Sequence, residues 1–278
     1  MSVVRAGAWR WPVQAGVRED AFFERLELFT RLAADEGVEW LVYPELFVLE
    51  LLGGTRGWTE ATVPHFLSRF APRLESALSG LAKRYGMTIV GGSHYRREGD
   101  DVVHMGVVAE ADGSLVFQPK NNGTVYERDV WKLPARHGLA RFGDPRLGLT
   151  VCYDSEFPEA VRKLAEAGVE CLCVPAYTET VQGFQRVRWC CLSRAVENQI
   201  FVIHASLGGS LEMEPLVDTQ GTAAIIAPSV RPFPDEAVLS ESMDLAVADL
   251  DFDALHEARE TGSVRNWHDR NNSAWRWL

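Results

Sequence analysis

Three polar residues stand directly beyond apolar, strand-like runs: Glu45 after "EWLVYP", Lys120 after "LVFQP" and Cys152 after "RLGLTV". A thiol becomes an effective nucleophile only with a base to take its proton and donors to stabilise the oxyanion it creates. Histidine is the usual base, but none of the seven histidines stands in a local context that names it as the partner. The carboxylate and the ammonium at the other strand ends therefore become the candidate partners of Cys152. Each residue also has an ordinary alternative. A carboxylate or a lone lysine after a strand is commonly a solvated loop residue, and Cys152, read on its own stretch, fits a buried strand-end cysteine equally well.

The flanking patterns say which elements position these groups. In "GLTVCYDSEFPE" (148–159) the composition is that of a strand up to the cysteine. "FPEAVRKLAEAGVE" then reads as a helix, with Pro158 in its first turn, Glu159 near its positive end and Gly168 at its close. Cys152 thus falls at a strand-to-helix turn, where side chains project above a sheet beside free backbone N–H groups. Elsewhere the runs "MTIVGGSHY", "ECLCVPA", "QIFVIHAS" and "GTAAIIAPS" have strand length. "REDAFFERLELFTRLAADEG" and "LSRFAPRLESALSGLAKRYG" read as amphipathic helices closing at Gly37 and Gly86. The expectation is a large sheet with strand–helix alternation and one hairpin, through Asp112-Gly113.

Composition bounds the function. A chain of 278 residues with net charge −11 reads as a single α/β domain spanning 1–278, and its acidity argues against nucleic acid, which needs clustered Lys and Arg. The opening "MSVVRAGAWRWPVQAG" has no continuous apolar segment, and no later run approaches membrane-spanning length. A cytoplasmic protein with no membrane partner is expected. Five cysteines without paired C-x-x-C spacing argue against zinc and for a reducing compartment, with Cys171, Cys173, Cys190 and Cys191 as small core residues. The segment 261–278, "TGSVRNWHDRNNSAWRWL", has little periodicity but three tryptophans, and is expected to pack on the body or on a partner subunit.

In their order and spacing the three stretches resemble the carbon–nitrogen hydrolases of the nitrilase superfamily, which share a Glu–Lys–Cys triad within one domain. The matching residues are Glu45 in "YPELF", Lys120 in "FQPK" and Cys152 in "LTVCYDSEFPE". The likeness extends through "GGSHYR" (91–96), "CLCVPAYTE" (171–179), "RVRWCCLSRAVENQIFVIHAS" (186–206) and "DTQGTAAIIAPS" (218–229). One departure is plain: many members have Lys-x-His-Leu, whereas here Asn121, Asn122 and then "GTVYERDVW" follow the lysine. That resembles a subgroup whose lysine precedes a Thr-x-Phe/Tyr-Glu-Arg run, and it leaves Lys132 in "WKLP" as a rival. Lys132 lies only twenty residues before Cys152, shorter than the family's interval, so Lys120 is preferred.

The resemblance implies a four-layer α-β-β-α sandwich that pairs through an outer helical face into a homodimer or larger even-numbered assembly. It implies that Glu45 acts as general base, Cys152 as nucleophile, and Lys120 with the backbone N–H of Tyr153 as oxyanion donors. Glu127 would support Lys120, and Arg194 with Glu197 would buttress the fold. The loop "PAYTETVQGFQR" places Tyr177, Thr178 and Glu179 where a substrate pocket is expected. No metal or other cofactor is required by this chemistry. "CYDSEFPE" resembles the amidase and carbamoylase branches, because nitrilases usually carry a Trp-Glu-Asn-like run after the cysteine. Hydrolysis of a small amide or N-carbamoyl compound is therefore expected. Nitrile hydrolysis, acyl transfer and a catalytically silent binding protein remain as rivals.

Overall fold

In the computed structural model, which describes residues 3–270, the chain begins with strand β1 (Val3–Val13), helix α1 (Glu19–Asp35) and strand β2 (Trp40–Val42). Helix α1 carries Glu19 and Asp20 at the positive end of its dipole and buries Phe22, Leu26 and Ala33 along one stripe. There follow α2 (Val63–Leu67), α3 (Ala71–Tyr85), β3 (Thr88–Glu98), β4 (Asp101–Ala109), β5 (Leu115–Pro119) and α4 (Val125–Asp129). The second half runs β6 (Leu147–Leu149), α5 (Pro158–Glu166), β7 (Cys171–Ala176), α6 (Val181–Asn198) and β8 (Phe201–Gly209). It closes with β9 (Ala223–Ile226), β10 (Val238–Ser242), β11 (Leu245–Asp251) and α7 (Phe252–Thr261).

Strand β1 belongs to two sheets. Its first part lies between antiparallel β11 and parallel β2, and β2 leads on to β3, β4 and β5. Its last residues, Arg10 to Val13, pair in parallel with the end of β8, whose other neighbours are β7 and β9. Side-chain alternation then sorts the layers. Trp11, Leu41, Tyr43 and Ile89 meet Phe22 and Leu26 of α1 and Leu74 and Leu78 of α3. Ala6, Ala8, Val42, Val90 and Val108 face the second sheet, where they join Leu149, Leu172 and Val202. Helices α5 and α6 add Val161, Leu164, Val187 and Cys191 to that cluster. The result is the four-layer α-β-β-α sandwich expected from the sequence.

Two features differ from the expectation. The central strand β1 has no polar–apolar alternation to announce it, because both its faces are covered and only the ends carry Arg5 and Arg10. A second hairpin joins β3 to β4 through Gly99, at φ +63°. The tail also divides. The Trp267 N–H donates to Gln199 Oε1 at 2.9 Å, and its ring lies beneath the Arg162, Arg259 and Arg270 guanidinium groups. That part folds onto its own body, while Trp275, Arg276 and Trp277 lie outside the described residues. Among the described residues no helix is long and apolar enough to cross a membrane.

Strands β2, β5, β6 and β7 all run in the same direction, as the parallel pairings and the two hairpins require. Glu45, Lys120, Cys152 and Tyr177 therefore emerge at one rim. Gly92, at φ +61°, lets β3 pass close beneath the Glu45 segment: a Cβ there would stand 1.9 Å from the Pro44 carbonyl oxygen. Gly92→Ala is expected to cost about 2–4 kcal/mol, combining left-handed backbone strain with overpacking. Urea unfolding measures this, and an unchanged midpoint would contradict the close approach.

Candidate active site

Cys152 opens a 3-10 turn, Cys152–Glu156, directly between β6 and α5. Its backbone is left-handed, at φ +47°, a conformation that costs a β-carbon residue about 1–2 kcal/mol and that recurs at functional sites. The turn is held from outside. Ser155 Oγ donates to the Cys152 carbonyl at 2.7 Å, and Arg194 donates to the carbonyls of Ser155 and Glu156 at 3.0 and 3.1 Å. The Cys152 thiol donates to the Tyr177 carbonyl at 3.6 Å. Arg194 also pairs with Glu197 at 2.7 Å, the buttressing role the sequence suggested.

The ammonium of Lys120 lies between two buried carboxylates. It donates to Glu45 Oε1 at 2.7 Å and to Glu127 Oε2 at 2.8 Å. Glu45 accepts the Tyr177 N–H on its other oxygen at 2.8 Å, which ties the β2 rim to the loop after β7. Glu127 is set by the first turn of α4, where it and Thr124 form a reciprocal capping box. Its second oxygen, Oε1, meets His104 Nδ1 at 2.6 Å. Asp154, two residues past the cysteine, accepts from the Asn121 and Asn122 backbone N–H groups at 2.9 and 2.7 Å. The two asparagines after the lysine thus latch the Lys120 loop onto the Cys152 turn.

Burial sets the charge states. It opposes the Lys120 ammonium, yet the Glu127 and Glu45 charges outweigh it and hold the lysine well above its usual range. Burial likewise opposes ionisation of Glu127, but Lys120 and then His104 pull its carboxyl well below the ordinary value. The Cys152 thiol is pushed up, first by burial and then by the Glu45 charge, with Lys120 acting against both. Burial and the Glu45 charge thus favour the thiol over the thiolate. Glu45, His104 and Glu127 could offer three ligand atoms within 4.8 Å to a metal ion, but the Lys120 ammonium already fills the place between the two carboxylates.

A cavity of about 270 Å³ opens over this cluster. It is lined by the eight residues expected at the site: Glu45, Lys120, Glu127, Cys152, Tyr153, Tyr177, Thr178 and Glu179. The Carbon-nitrogen hydrolase family profile matches residues 13–260. The chain belongs to the carbon-nitrogen hydrolase family. It is 29% identical over 258 residues to the probable hydrolase YhcX of Bacillus subtilis (strain 168), covering 90% of this chain and 50% of that one. The chain thus spans about half the length of that relative. It is 26% identical over 227 residues to the 2-oxoglutaramate amidase of the same organism, covering 80% of this chain and 81% of that one. Among solved structures it resembles Nit3 of Saccharomyces cerevisiae, of the nitrilase superfamily, with TM-score 0.77 and 19% identity over 93% of this chain and 94% of that one. An amidase from Nesterenkonia superposes with TM-score 0.71 and 22% identity, covering 92% of this chain and 94% of that one. Those two likenesses concern the fold.

Within this carbon-nitrogen hydrolase, the rival Lys132 is exposed and outside the cavity. Several site residues escaped the sequence reading. His104 sits inside the apolar run of β4, and its only signal was being polar at a buried strand position. Asp154 was not singled out, because its partners Asn121 and Asn122 lie 33 and 32 residues away along the chain. Tyr126, Trp131, Glu156 and Arg186 line the cavity from three separate loops and helices, so nothing local marked them. Arg186 is paired with Glu156 through 2.8 Å contacts.

The Glu127–Lys120 pair has a pH signature. The folded-state carboxyl lies below its ordinary value of 4.5, so the pair contributes stability that is complete above that value and lost as pH falls through the lowered one. Glu127→Gln should therefore cost about 3–5 kcal/mol in urea unfolding at neutral pH, as expected for breaking a buried ion pair. The gap between variant and wild type should narrow below pH 4.5. A gap independent of pH would mean that Glu127 is not ionised in the native state.

Proposed function

We propose that this protein hydrolyses a non-peptide C–N bond of a small amide through a thioester on Cys152. The observation that carries this reading is the convergence of the Cys152 thiol, the Glu45 carboxylate and the Lys120 ammonium in one cavity. Glu45 takes the thiol proton as Cys152 Sγ attacks the amide carbonyl carbon, giving a tetrahedral oxyanion. Lys120, with the backbone N–H of Tyr153, stabilises that oxyanion, each donor supplying roughly 3–4 kcal/mol. Protonated Glu45 then gives its proton to the departing nitrogen, ammonia or an amine leaves, and the thioester remains. Water, deprotonated by the same Glu45, attacks the thioester, and the acid is released with the thiol restored. Glu127 orients Lys120 without exchanging protons, and its bond to an ammonium already held charged supports that division.

Amides are favoured by the likeness to two proteins, a 2-oxoglutaramate amidase and a deaminated glutathione amidase. The cavity volume admits a small acyl group, with Tyr177, Thr178 and Glu179 along one wall. Ammonia release from a panel of small amides, N-carbamoyl compounds and nitriles tests the class. Turnover of nitriles alone would replace amide by nitrile hydrolysis, and silence across the panel with wild-type fold would favour a binding protein. With an active substrate in hand, Cys152→Ala should abolish turnover without loss of fold. Lys120→Ala should lower kcat by a factor on the order of 10² or more, and Lys132→Ala should leave it unchanged. The reverse ranking of the two lysines would displace Lys120 from the mechanism.

We extend the proposal to assembly as a homodimer or larger even-numbered oligomer. Trp189 and Val181 of α6 are 61% and 59% exposed, apolar side chains set among the exposed Gln182, Arg186 and Ser193 on an outer helical face suited to pairing. Light scattering on the full-length chain should give an even multiple of the 31.0 kDa protomer. A chain ending at Gly262 should lose part of that assembly, and a full-length monomer would end the proposal.

A further inference from the structure

His104 is the one histidine of the site, and the mechanism above gives it no task. It is 4% exposed and closed in on both ring nitrogens. Nδ1 meets Glu127 Oε1 at 2.6 Å, and Nε2 meets Ser93 Oγ at 2.7 Å. The same Ser93 hydroxyl oxygen accepts the Leu46 N–H at 3.3 Å, and the Ser93 carbonyl accepts it at 3.1 Å. Leu46 is the left-handed residue, φ +48°, that turns the chain immediately after Glu45. One chain of hydrogen bonds thus leads from the Glu45 turn through Ser93 and His104 to Glu127 and Lys120.

The partners fix the ring's orientation. Glu127 is ionised and can only accept, so the Nδ1–H donates to it. Nε2 and Ser93 Oγ share a hydrogen bond on the far side of the ring. The Nδ1–H of the imidazole is therefore aimed at the carboxylate that holds the lysine. The ring packs against Tyr95, 5.4 Å between centroids, which removes its freedom to turn away.

We propose that His104 is a positioning residue for the reaction: it orients Glu127 so that Lys120 points at the oxyanion, and through Ser93 it locks Lys120 to the turn that carries Glu45. The base and the oxyanion cation sit on different strands, and His104 is the link that fixes their separation. Losing it should slow formation of the oxyanion without weakening substrate binding.

The inference rests on the thioester reading, so its test uses a probe that reports both. Acylation of the enzyme by p-nitrophenyl acetate forms the Cys152 thioester and releases p-nitrophenolate, independently of the natural amide. Wild type should show a burst that Cys152→Ala lacks; equal traces would end the thioester reading itself. With that burst established, His104→Phe keeps the ring packing but removes the donor, and should lower the saturating acylation rate by about tenfold to a hundredfold with little change in half-saturation. His104→Asn can present its amide N–H near the Nδ1 position and should recover most of that rate. Ser93→Ala, a smaller perturbation, should give a loss in the same direction of about threefold or more. Thermal unfolding of each variant separates folding from rate. Wild-type acylation in His104→Phe, or equal losses in a folded His104→Asn and His104→Phe, would overturn the proposal. If His104→Phe does not fold, wild-type acylation in Ser93→Ala would overturn it.

Discussion

An ammonium buried between two carboxylates is the constraint on which this site depends. Taking three charges out of water is costly, and the cost is offset only when every lone pair and proton finds a partner. Lys120 has Glu45 and Glu127; Glu45 has the Tyr177 N–H as well; Glu127 has Thr124 and His104. These groups come from the ends of β2, β5 and β7, from within β4 and from the start of α4. Satisfying the charges therefore fixes the relative placement of those elements, and with them the floor of the cavity. Removing any one member leaves another buried polar group short of a partner, so changes to this rim bear on stability as well as on the site.

The same cluster bears on the role proposed for Cys152 as nucleophile. Burial and the nearby Glu45 charge both disfavour a free thiolate at Cys152, while Lys120 favours it. In the proposed reaction, a proton moving from Cys152 to Glu45 would remove the opposing charge and leave the lysine facing the new anion. The charge would then pass to the oxyanion without leaving the field of Lys120. Preorganised donors of this kind gain from the low local dielectric and need no rearrangement at the moment of reaction. Two left-handed residues at the rim, Leu46 and Cys152, are held in place by hydrogen bonds, from Ser93 in one case and from Ser155 with Arg194 in the other. The turns that carry Glu45 and Cys152 thus each include a strained residue.

Much of this was legible from the residues. The strand-to-helix turn at Cys152 shows in Pro158, Glu159 and Gly168, and α5 begins at Pro158 as those signals require. Glu45 and Lys120 were findable because each follows an apolar run. The eight residues chosen all reach one cavity. What escaped has a common cause. His104 and Asp154 act by contact with residues 23 and 32 or more positions away, and no local pattern records such a partner. Strand β1 escaped because burial on both faces erases the alternation by which half-buried strands are recognised.

The sequence by itself determined the element types, the turn that presents Cys152, the order of Glu45, Lys120 and Cys152 along the chain, and the family. These follow from periodicity, capping residues and motif spacing, which are properties of neighbours along the backbone. Only the tertiary structure decided that Lys120 and not Lys132 is buried between the carboxylates, that Asn121 and Asn122 latch onto Asp154, and that a histidine within β4 completes the hydrogen bonding of Glu127. Those outcomes depend on parallel strands ending at one rim. The electrostatic and hydrogen-bonding requirements of buried charge, which act through space, then select which side chains meet there.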